Sequence, residues 1–187
     1  MLKPLDIDKL IDAVDYVHEI KTKENSLQNT VLKPRLSQVT GKITIPVQQG
    51  FEVVLCGSPS PREIKLGEDI LQKMKNKAVN LIGKTSLKQL CALLKEAKLV
   101  LAPDSGPAHI ATTQNTPVIG LYGHSNPLRT GPYLSLDNVV SVYEKHVQIQ
   151  HHKPASELPW STRAKGGHIM HDINTNDVIA VFDRLTK

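Results

Sequence analysis

The sequence predicts an α/β fold in which a parallel, Rossmann-like β-sheet has helices on both faces. Short apolar runs that end at a glycine or proline alternate with segments of helical periodicity, which is the pattern of right-handed β-α-β units. The runs are continuously apolar rather than alternating, as expected for strands buried on both faces of a sheet. With 40% apolar and 22% charged residues, the 187-residue chain has a globular composition, which excludes disordered, collagen-like and coiled-coil chains.

The predicted elements begin with an amphipathic helix over residues 7–20, where apolar side chains recur every three or four positions. Residues 21–50 are broken by proline and glycine and predict no clear element. Beyond them, Thr85 is the expected N-cap of one helix, and Asn174 or Thr175 that of the last. The predicted strands are residues 51–56, 79–82, 98–102, 117–122 and 138–142, and the predicted helices lie near residues 62–76, 87–97, 108–111 and 178–185.

Charge, aromatic content and cysteine use limit the classes of function. The net charge of +5 comes from a diffuse basic excess in residues 51–100, which favours anionic partners without specifying them. Only 4% of residues are aromatic and no recognition motif is present, so nucleic-acid binding is not expected. Cys56 and Cys91 are typical of buried thiols in a reducing compartment. Without a secretory signal or a membrane-spanning apolar stretch, the expected location is the cytoplasm.

Three segments that follow predicted strands carry the candidate site. Ligands of parallel α/β sheets bind beyond the carboxyl ends of the strands, which here are residues 57–63, 103–109 and 123–129. The most informative of them is Pro103-Asp-Ser-Gly-Pro-Ala-His109, because a buried strand gives way to a helix within a few residues.

That segment can form an anion site at a helix N-terminus. Gly106 lets the backbone approach a ligand closely, and Pro107 suits the first helical turn, where its missing N–H costs nothing. Uncapped N–H groups and the helix dipole would attract a phosphate, and His109 in the first turn fits such a partner. The alternative is an ordinary helix capped by Ser105 or Asp104. A serine hydrolase is not indicated, because no Gly-x-Ser-x-Gly elbow is present and Ser105 and His109 share one short element.

Two loop residues and the late histidines leave their interpretation open. Glu63 can accept hydrogen bonds from a ribose or an adenine amino group, or it can simply start the next helix, where acidic residues are favourable. Arg129 can contact a phosphate or remain solvated. The late histidines show no spacing with cysteine or carboxylate that predicts zinc, so neither a metal nor a cofactor is expected. They are His146, His151, His152, His168 and His171.

One long stretch, residues 83–111, combines a helix opened by Thr-Ser-Leu with the Asp-Ser-Gly-Pro-Ala-His box after the next strand. It closely resembles the ADP-heptose:lipopolysaccharide heptosyltransferase family (glycosyltransferase family 9), which are bacterial inverting enzymes. Residues 116–123 with Pro127, residues 50–57 with Glu63, and Leu158-Pro-Trp-Ser-Thr-Arg163 also match, so the resemblance extends over residues 50–185. It implies the two-domain GT-B architecture, and the matched residues correspond to its C-terminal, nucleotide-sugar-binding half.

The resemblance implies an ADP-sugar donor, ADP-heptose, whose heptose is transferred to the lipopolysaccharide inner core with release of ADP. Asp104 would lie by the sugar and the pyrophosphate, and Glu63 would contact the adenosine. Ser105, Gly106 and His109 would hold the pyrophosphate, the first two through their backbone. The full donor-binding set implied is Gly57, Glu63, Asp104, Ser105, Gly106, Pro107 and His109.

Compared with the family pattern, the chain lacks the acceptor half, which in the family carries the catalytic aspartate base. Residues 1–27 are therefore expected to be a linker helix from that half, and residues 28–187 the nucleotide-sugar-binding domain. No catalytic residue is assigned, and this chain alone is expected to be inactive. The family's strand, lysine-bearing loop and helix before residue 51 do not fit into residues 37–49, so either part of this segment is absent from this chain or the phosphate site is truncated. Lys33 and Lys42 are the residues that could replace the family's phosphate-binding lysine.

Two further expectations concern partners. The alternative to a transferase half is a non-catalytic module of the same fold that binds a nucleotide sugar or a phosphate. The resemblance also allows peripheral contact with the inner membrane, in addition to the cytoplasmic location.

Overall fold

The computed structural model describes residues 28–32, 51–74 and 78–187 of the protein, and the predicted helix over residues 7–20 lies outside them. The described chain forms a six-stranded sheet in the order β3-β2-β1-β4-β5-β6, and every neighbouring pair is parallel. The strands are β1 (Gln28–Leu32), β2 (Phe51–Leu55), β3 (Val79–Asn80), β4 (Leu99–Pro103), β5 (Val118–Tyr122) and β6 (Val139–Ser141).

Helices connect the strands and cover the sheet. They are α1 (Pro61–Lys73), α2 (Leu87–Glu96), α3 (Gly106–Thr113), α4 (Pro127–Thr130), α5 (Tyr143–His151) and α6 (Thr175–Thr186). Within the described residues, short 3₁₀ turns also span residues 136–138, 155–157 and 169–172. No helix in the described part of the chain is long and apolar enough to cross a membrane.

The two faces of the sheet are both buried, which confirms the predicted fold class. Along β2, Val53 and Leu55 pack into the apolar cluster under α1 and α6, whereas Val54 packs into the cluster under α2 and α3. Strands β4 and β5 divide their side chains in the same way. Because successive side chains of a strand point to opposite faces, burial on both faces requires the continuous apolar runs seen in the sequence.

The central strand β1 lies within residues 21–50, where the sequence pattern predicts no element. Gln28–Leu32 pairs with β2 over its whole length and with β4 over its last three residues. Its sequence, Gln-Asn-Thr-Val-Leu, contains only two apolar residues at its end, so it lacks the continuous apolar run of a buried parallel strand. A strand therefore precedes residue 51, but it lies before residues 37–49, and the predicted shortage of room in that segment falls outside the described residues, as do Lys33 and Lys42.

The helix caps differ from the sequence prediction at one position. Ser86, not Thr85, is the N-cap of α2, where its hydroxyl accepts a hydrogen bond from the Gln89 N–H and the Gln89 side chain accepts one from the Ser86 N–H. This reciprocal capping box is the reason that the helix begins one residue later. The last helix has the expected cap, Asn174, whose side chain accepts from the Asn176 N–H.

A long C-terminal segment folds over α5 and returns to the carboxyl edge of the sheet. Helix α5, which the sequence pattern does not predict, buries Tyr143 and Val147 against Ala164 and Ile169. The Tyr143 hydroxyl donates a hydrogen bond to the Thr162 carbonyl at 2.9 Å. These contacts place residues 163–170, which we call the strap, beside the ends of β4 and β5.

Candidate functional site

The candidate site is a cavity of about 540 Å³ at the carboxyl edge of the sheet. Its walls come from the start of α1, the ends of β4 and β5, and the strap. Successive strands are added outwards from β1 through β2 to β3, and then in the opposite direction from β4 through β5 to β6. The strand order therefore reverses between β1 and β4, which is where α/β sheets of this kind bind ligands. The lining residues are Ser60, Arg62, Glu63, Leu66, Pro103, Asp104, Leu121, Gly123, His124, Ser125, Arg163, Gly166, Gly167 and Met170.

Asp104 is oriented by two hydroxyl groups from the next β-α unit. One of its carboxylate oxygens, Oδ2, accepts a hydrogen bond from Ser125 Oγ and another from Thr130 Oγ1, the latter at 3.1 Å. Ser125 is 2% exposed, so this support is inside the protein. Among the described residues, the hydrogen bonds to the Asp104 side chain fall on Oδ2, which leaves Oδ1 available to a ligand in the cavity.

Glu63 has both a structural role and a place in the cavity. It is the third residue of α1, where its N–H donates to the N-cap hydroxyl of Ser60, and its Oε2 accepts from the Ser58 N–H at 2.8 Å. The residue is 9% exposed, yet its side chain lines the cavity. The two readings of Glu63 in the sequence are thus compatible, because one carboxylate oxygen holds the loop and the other is not engaged within the described chain.

The N-terminus of α3 carries no side-chain cap, contrary to the capping by Ser105 or Asp104 that the sequence allows. The Ser105 hydroxyl turns back and donates to the Pro103 carbonyl at 2.9 Å, and the Asp104 carboxylate is occupied by hydroxyl donors. At Gly106, apart from its chain neighbours and the backbone of α3 itself, no described atom lies within 4 Å of the point that a Cβ would occupy. The backbone there is open to a ligand, as the anion-site hypothesis requires.

A second, more apolar cavity of about 290 Å³ lies beside α3, on the α2 side. Gly57, Ser58 and Pro59 form one wall, the start of α2 forms another, and Pro107 borders it from α3. Asp104 borders the first cavity and Pro107 the second, so the Ser105–Gly106 turn lies between the two. Glu63 also lies at the border of the two cavities, since it lines the first and accepts a hydrogen bond from the N–H of Ser58, which lines the second.

The strap is tied to the end of β5 by a reciprocal pair of hydrogen bonds. The Ala164 N–H donates to the His124 carbonyl at 2.9 Å, and His124 Nδ1 lies 3.1 Å from the Ala164 carbonyl oxygen. Next to this pair, a Cβ on Gly123 would lie 2.8 Å from both Ile169 Cγ2 and Met170 Sδ. A larger residue at this position would have to displace the Ile169 and Met170 side chains where the strap contacts the strand end.

Burial and charge shift the pKa of two groups near the cavities. Burial raises the pKa of Tyr122 above its ordinary value, and the nearby negative charge of Asp104 adds to the shift. The Tyr122 hydroxyl therefore stays protonated and donates to the Thr130 carbonyl at 2.8 Å. Burial also raises the pKa of the Cys56 thiol, to about 12, so this residue of the second cavity is not a nucleophile at neutral pH.

The structure brings some of the sequence-predicted residues together and separates others. Glu63 and Asp104 share the first cavity, and Gly57 and Pro107 share the second. His109 and Arg129 are both exposed, and neither lines one of these two cavities. Residues not singled out individually from the sequence also lie in the site or support it: Arg62, His124, Ser125, Thr130, Arg163 and Met170.

The late histidines do not form a metal site within the described residues, where no group of three His, Cys, Asp or Glu side chains is placed to hold an ion. His146 Nε2 lies 3.0 Å from Asp172 Oδ2, and Lys145 Nζ donates to the same oxygen at 2.8 Å. This cluster fastens α5 to the 3₁₀ turn that ends the strap.

A doubly wound parallel sheet with a polar cavity and an uncapped helix at its carboxyl edge has the arrangement of the nucleotide-binding α/β domains. The model of glycosyltransferase family 9 (heptosyltransferase) matches residues 43–161. The chain therefore belongs to glycosyltransferase family 9, as the sequence motifs predict.

Curated relatives match most of this chain but only part of their own length. The lipopolysaccharide core heptosyltransferase OpsX of Haemophilus influenzae is 53% identical over 138 residues, which are 74% of this chain and 40% of the relative. Lipopolysaccharide heptosyltransferase 3 of Escherichia coli is 36% identical over 139 residues, or 73% of this chain and 38% of that protein. The chain thus spans about two fifths of the length of these relatives.

Solved structures share the fold at lower identity. ADP-heptose lipopolysaccharide heptosyltransferase II of Escherichia coli superposes with a TM-score of 0.62 at 21% identity, over 93% of this chain and 51% of that one. A family 9 glycosyltransferase from Veillonella parvula gives the same TM-score at 18% identity, again over 93% and 51%. This chain has the fold of one half of these GT-B proteins.

Proposed function

We propose that this chain is the donor-binding half of a heptosyltransferase, which binds ADP-heptose for transfer of heptose to the lipopolysaccharide core. The observation that carries the proposal is the cavity shared by Glu63 and Asp104 beside the open Gly106 backbone. Two heptosyltransferases of similar fold, WaaC of Escherichia coli in its structure with ADP and TibC in its structure with ADP-D-β-D-heptose, bind ligands of this class.

In this proposal the two cavities bind different parts of the nucleotide sugar. The apolar second cavity takes the adenine ring, and Glu63, at the border of the two cavities, accepts a hydrogen bond from a ribose hydroxyl. The diphosphate passes over the Ser105–Gly106 turn, where backbone N–H groups and the dipole of α3 attract negative charge. The sugar then lies in the polar cavity beside Asp104.

Leaving-group stabilisation is the chemical contribution of this half. Displacement at the anomeric carbon breaks its bond to the diphosphate oxygen, and negative charge grows on the departing ADP. The N-terminus of α3 is positioned to stabilise that charge, and His109 in the first turn adds a donor once the diphosphate is bound. A base that deprotonates the acceptor hydroxyl belongs to the acceptor half, so we expect this chain alone to bind the donor and to transfer nothing.

Isothermal titration calorimetry with ADP, GDP and UDP tests the proposal. We expect a preference for ADP, and we expect Glu63→Gln to weaken ADP binding about tenfold because a hydrogen bond to a charged carboxylate is lost. Glu68→Gln changes an exposed carboxylate on the same helix and should leave the affinity unchanged. Equal affinity for the three nucleotides would refute the assignment, and heptose transfer by this chain alone would refute the half-site role.

The proposed setting is the cytoplasm, with peripheral contact to the inner membrane where the lipopolysaccharide acceptor is presented. Co-sedimentation of the full chain with vesicles containing anionic lipid checks the contact, which should weaken as salt is raised.

A further inference from the structure

His124, at the end of β5, has one ring nitrogen occupied and lines the donor cavity. Its Nδ1 lies 3.1 Å from the Ala164 carbonyl oxygen, and a carbonyl oxygen can only accept a hydrogen bond. Nδ1 must therefore carry a proton. A neutral imidazole in this position has its lone pair on Nε2, and the Ala164 contact fixes both the tautomer and the orientation of the ring.

The charges around the cavity favour a neutral, hydroxyl-rich ligand at this point. Arg62 and Arg163 contribute two positive charges, Glu63 and Asp104 two negative ones, so the lining is balanced when the imidazole is neutral. Both arginines are exposed, whereas Asp104 is half-buried and adjoins His124 through Ser125. An anion would be repelled by the Asp104 carboxylate, but a sugar hydroxyl can donate to it or to a neutral imidazole nitrogen.

We propose that His124 is a sugar-binding residue, whose Nε2 accepts a hydrogen bond from a hydroxyl of the donor's glycosyl group while Nδ1 holds the strap. The proposal rests on the proposed function, because the sugar is brought to the cavity by the nucleotide diphosphate. Asp104 Oδ1 provides the second acceptor of the same subsite. The imidazole and the carboxylate together select a sugar that has hydroxyls in the matching positions.

Two substitutions separate sugar binding from support of the strap. In His124→Asn, the side-chain amide occupies the place of Nδ1 and can still donate to the Ala164 carbonyl, but nothing replaces Nε2. In His124→Gln, the side-chain amide lies near the place of Nε2, and the N–H group that donates a hydrogen bond to the Ala164 carbonyl is lost. His151→Asn removes an exposed histidine outside both cavities and serves as the matched control.

The experiment measures the affinities of the full chain for ADP and for ADP-heptose by calorimetry at pH 8. We expect wild-type protein to bind ADP-heptose more tightly than ADP. His124→Asn should bind ADP normally and lose about three- to tenfold of that extra affinity, the usual effect of one hydrogen bond. The His151→Asn control should keep both affinities.

Limited proteolysis reports on the strap independently of the ligand. Trypsin sites at Arg163 and Lys165 flank Ala164, so loss of the His124–Ala164 contact should expose them. We expect faster cleavage in His124→Gln and unchanged cleavage in His124→Asn.

The outcomes are decisive in each direction. Loss of the sugar-dependent affinity in His124→Asn with an intact strap supports the proposal. It is overturned if His124→Asn keeps that affinity, if only His124→Gln loses it, or if wild-type protein binds ADP and ADP-heptose equally. A wild-type chain without a preference for ADP over GDP and UDP refutes the proposed function itself and the subsite with it.

Discussion

Replacement of Ser125 by alanine tests how much the hydrogen bonds that the Ser125 and Thr130 hydroxyls donate to Asp104 contribute to stability. Ser125 Oγ donates to Asp104 Oδ2 from a position that is 2% exposed. A hydrogen bond to a charged group contributes about 1.5–3 kcal/mol. Asp104 is half-buried beside a cavity that water can enter. We therefore expect Ser125→Ala to lower the free energy of unfolding by an amount at the lower end of this range, about 1.5 kcal/mol.

Urea denaturation followed by circular dichroism measures this loss, and it corresponds to a fall in Tm of about 3–6 °C for a domain of this size. Thr113→Ala removes an exposed hydroxyl that donates to the neutral Ile110 carbonyl, and it should change stability by less than about 0.5 kcal/mol. The double-mutant cycle with Asp104→Asn adds the decisive comparison. In that background Ser125→Ala should cost clearly less, since the acceptor is no longer charged. An equal cost in both backgrounds would refute the reasoning.

The remaining predictions concern acid stability and thiol reactivity. The hydrogen bond from Lys145 is the main cause that holds the pKa of Asp172 below its ordinary value of 3.8, and His146 contributes. The ionised Asp172 therefore stabilises the folded state fully above pH 3.8, and this stabilisation is lost as the pH falls through the lowered pKa. Asp172→Asn should remove this part of the acid sensitivity in denaturation curves recorded from about pH 2 to 6, and an unchanged pH profile would contradict it. With the Cys56 pKa raised to about 12, Ellman's reagent should label the half-buried Cys91 quickly and Cys56 only as the protein unfolds; equally fast labelling of both thiols would show that Cys56 is accessible.

The sequence predicts the strands whose side chains are apolar on both faces, and it misses the one that is not. Strands β2, β4 and β5 have continuous apolar runs and appear within one or two residues of their predicted bounds. In β1, by contrast, the strand is defined by main-chain pairing with two neighbours, which a sequence of three polar residues followed by Val-Leu does not reveal. The N-cap of α2 can be predicted from the sequence, because Ser86 and Gln89 have the spacing of a capping box.

For the site, the strand-end rule selects the segments but does not fix the direction in which each of their side chains projects. Asp104 and Glu63 come from segments that the rule selects, whereas Arg163 reaches the cavity through the packing of α5 and the strap. The spacing that puts His109 in the first turn of α3 does not fix the side of the helix on which it projects, and the structure leaves it exposed. Such directions depend on how each helix is rotated against the sheet, which is a tertiary property.

The hydrogen bond between His124 and Ala164 has a consequence for protein engineering of the proposed donor site. The wall contributed by the strap comes from residues 40 positions further along the chain than the strand end that it contacts. In a chimera that exchanges only the short turns after β4 and β5, the original strap would contact turns taken from a different homologue. Under the proposed function, we therefore expect donor preference to transfer between homologues only when the C-terminal quarter of this domain is exchanged together with those turns.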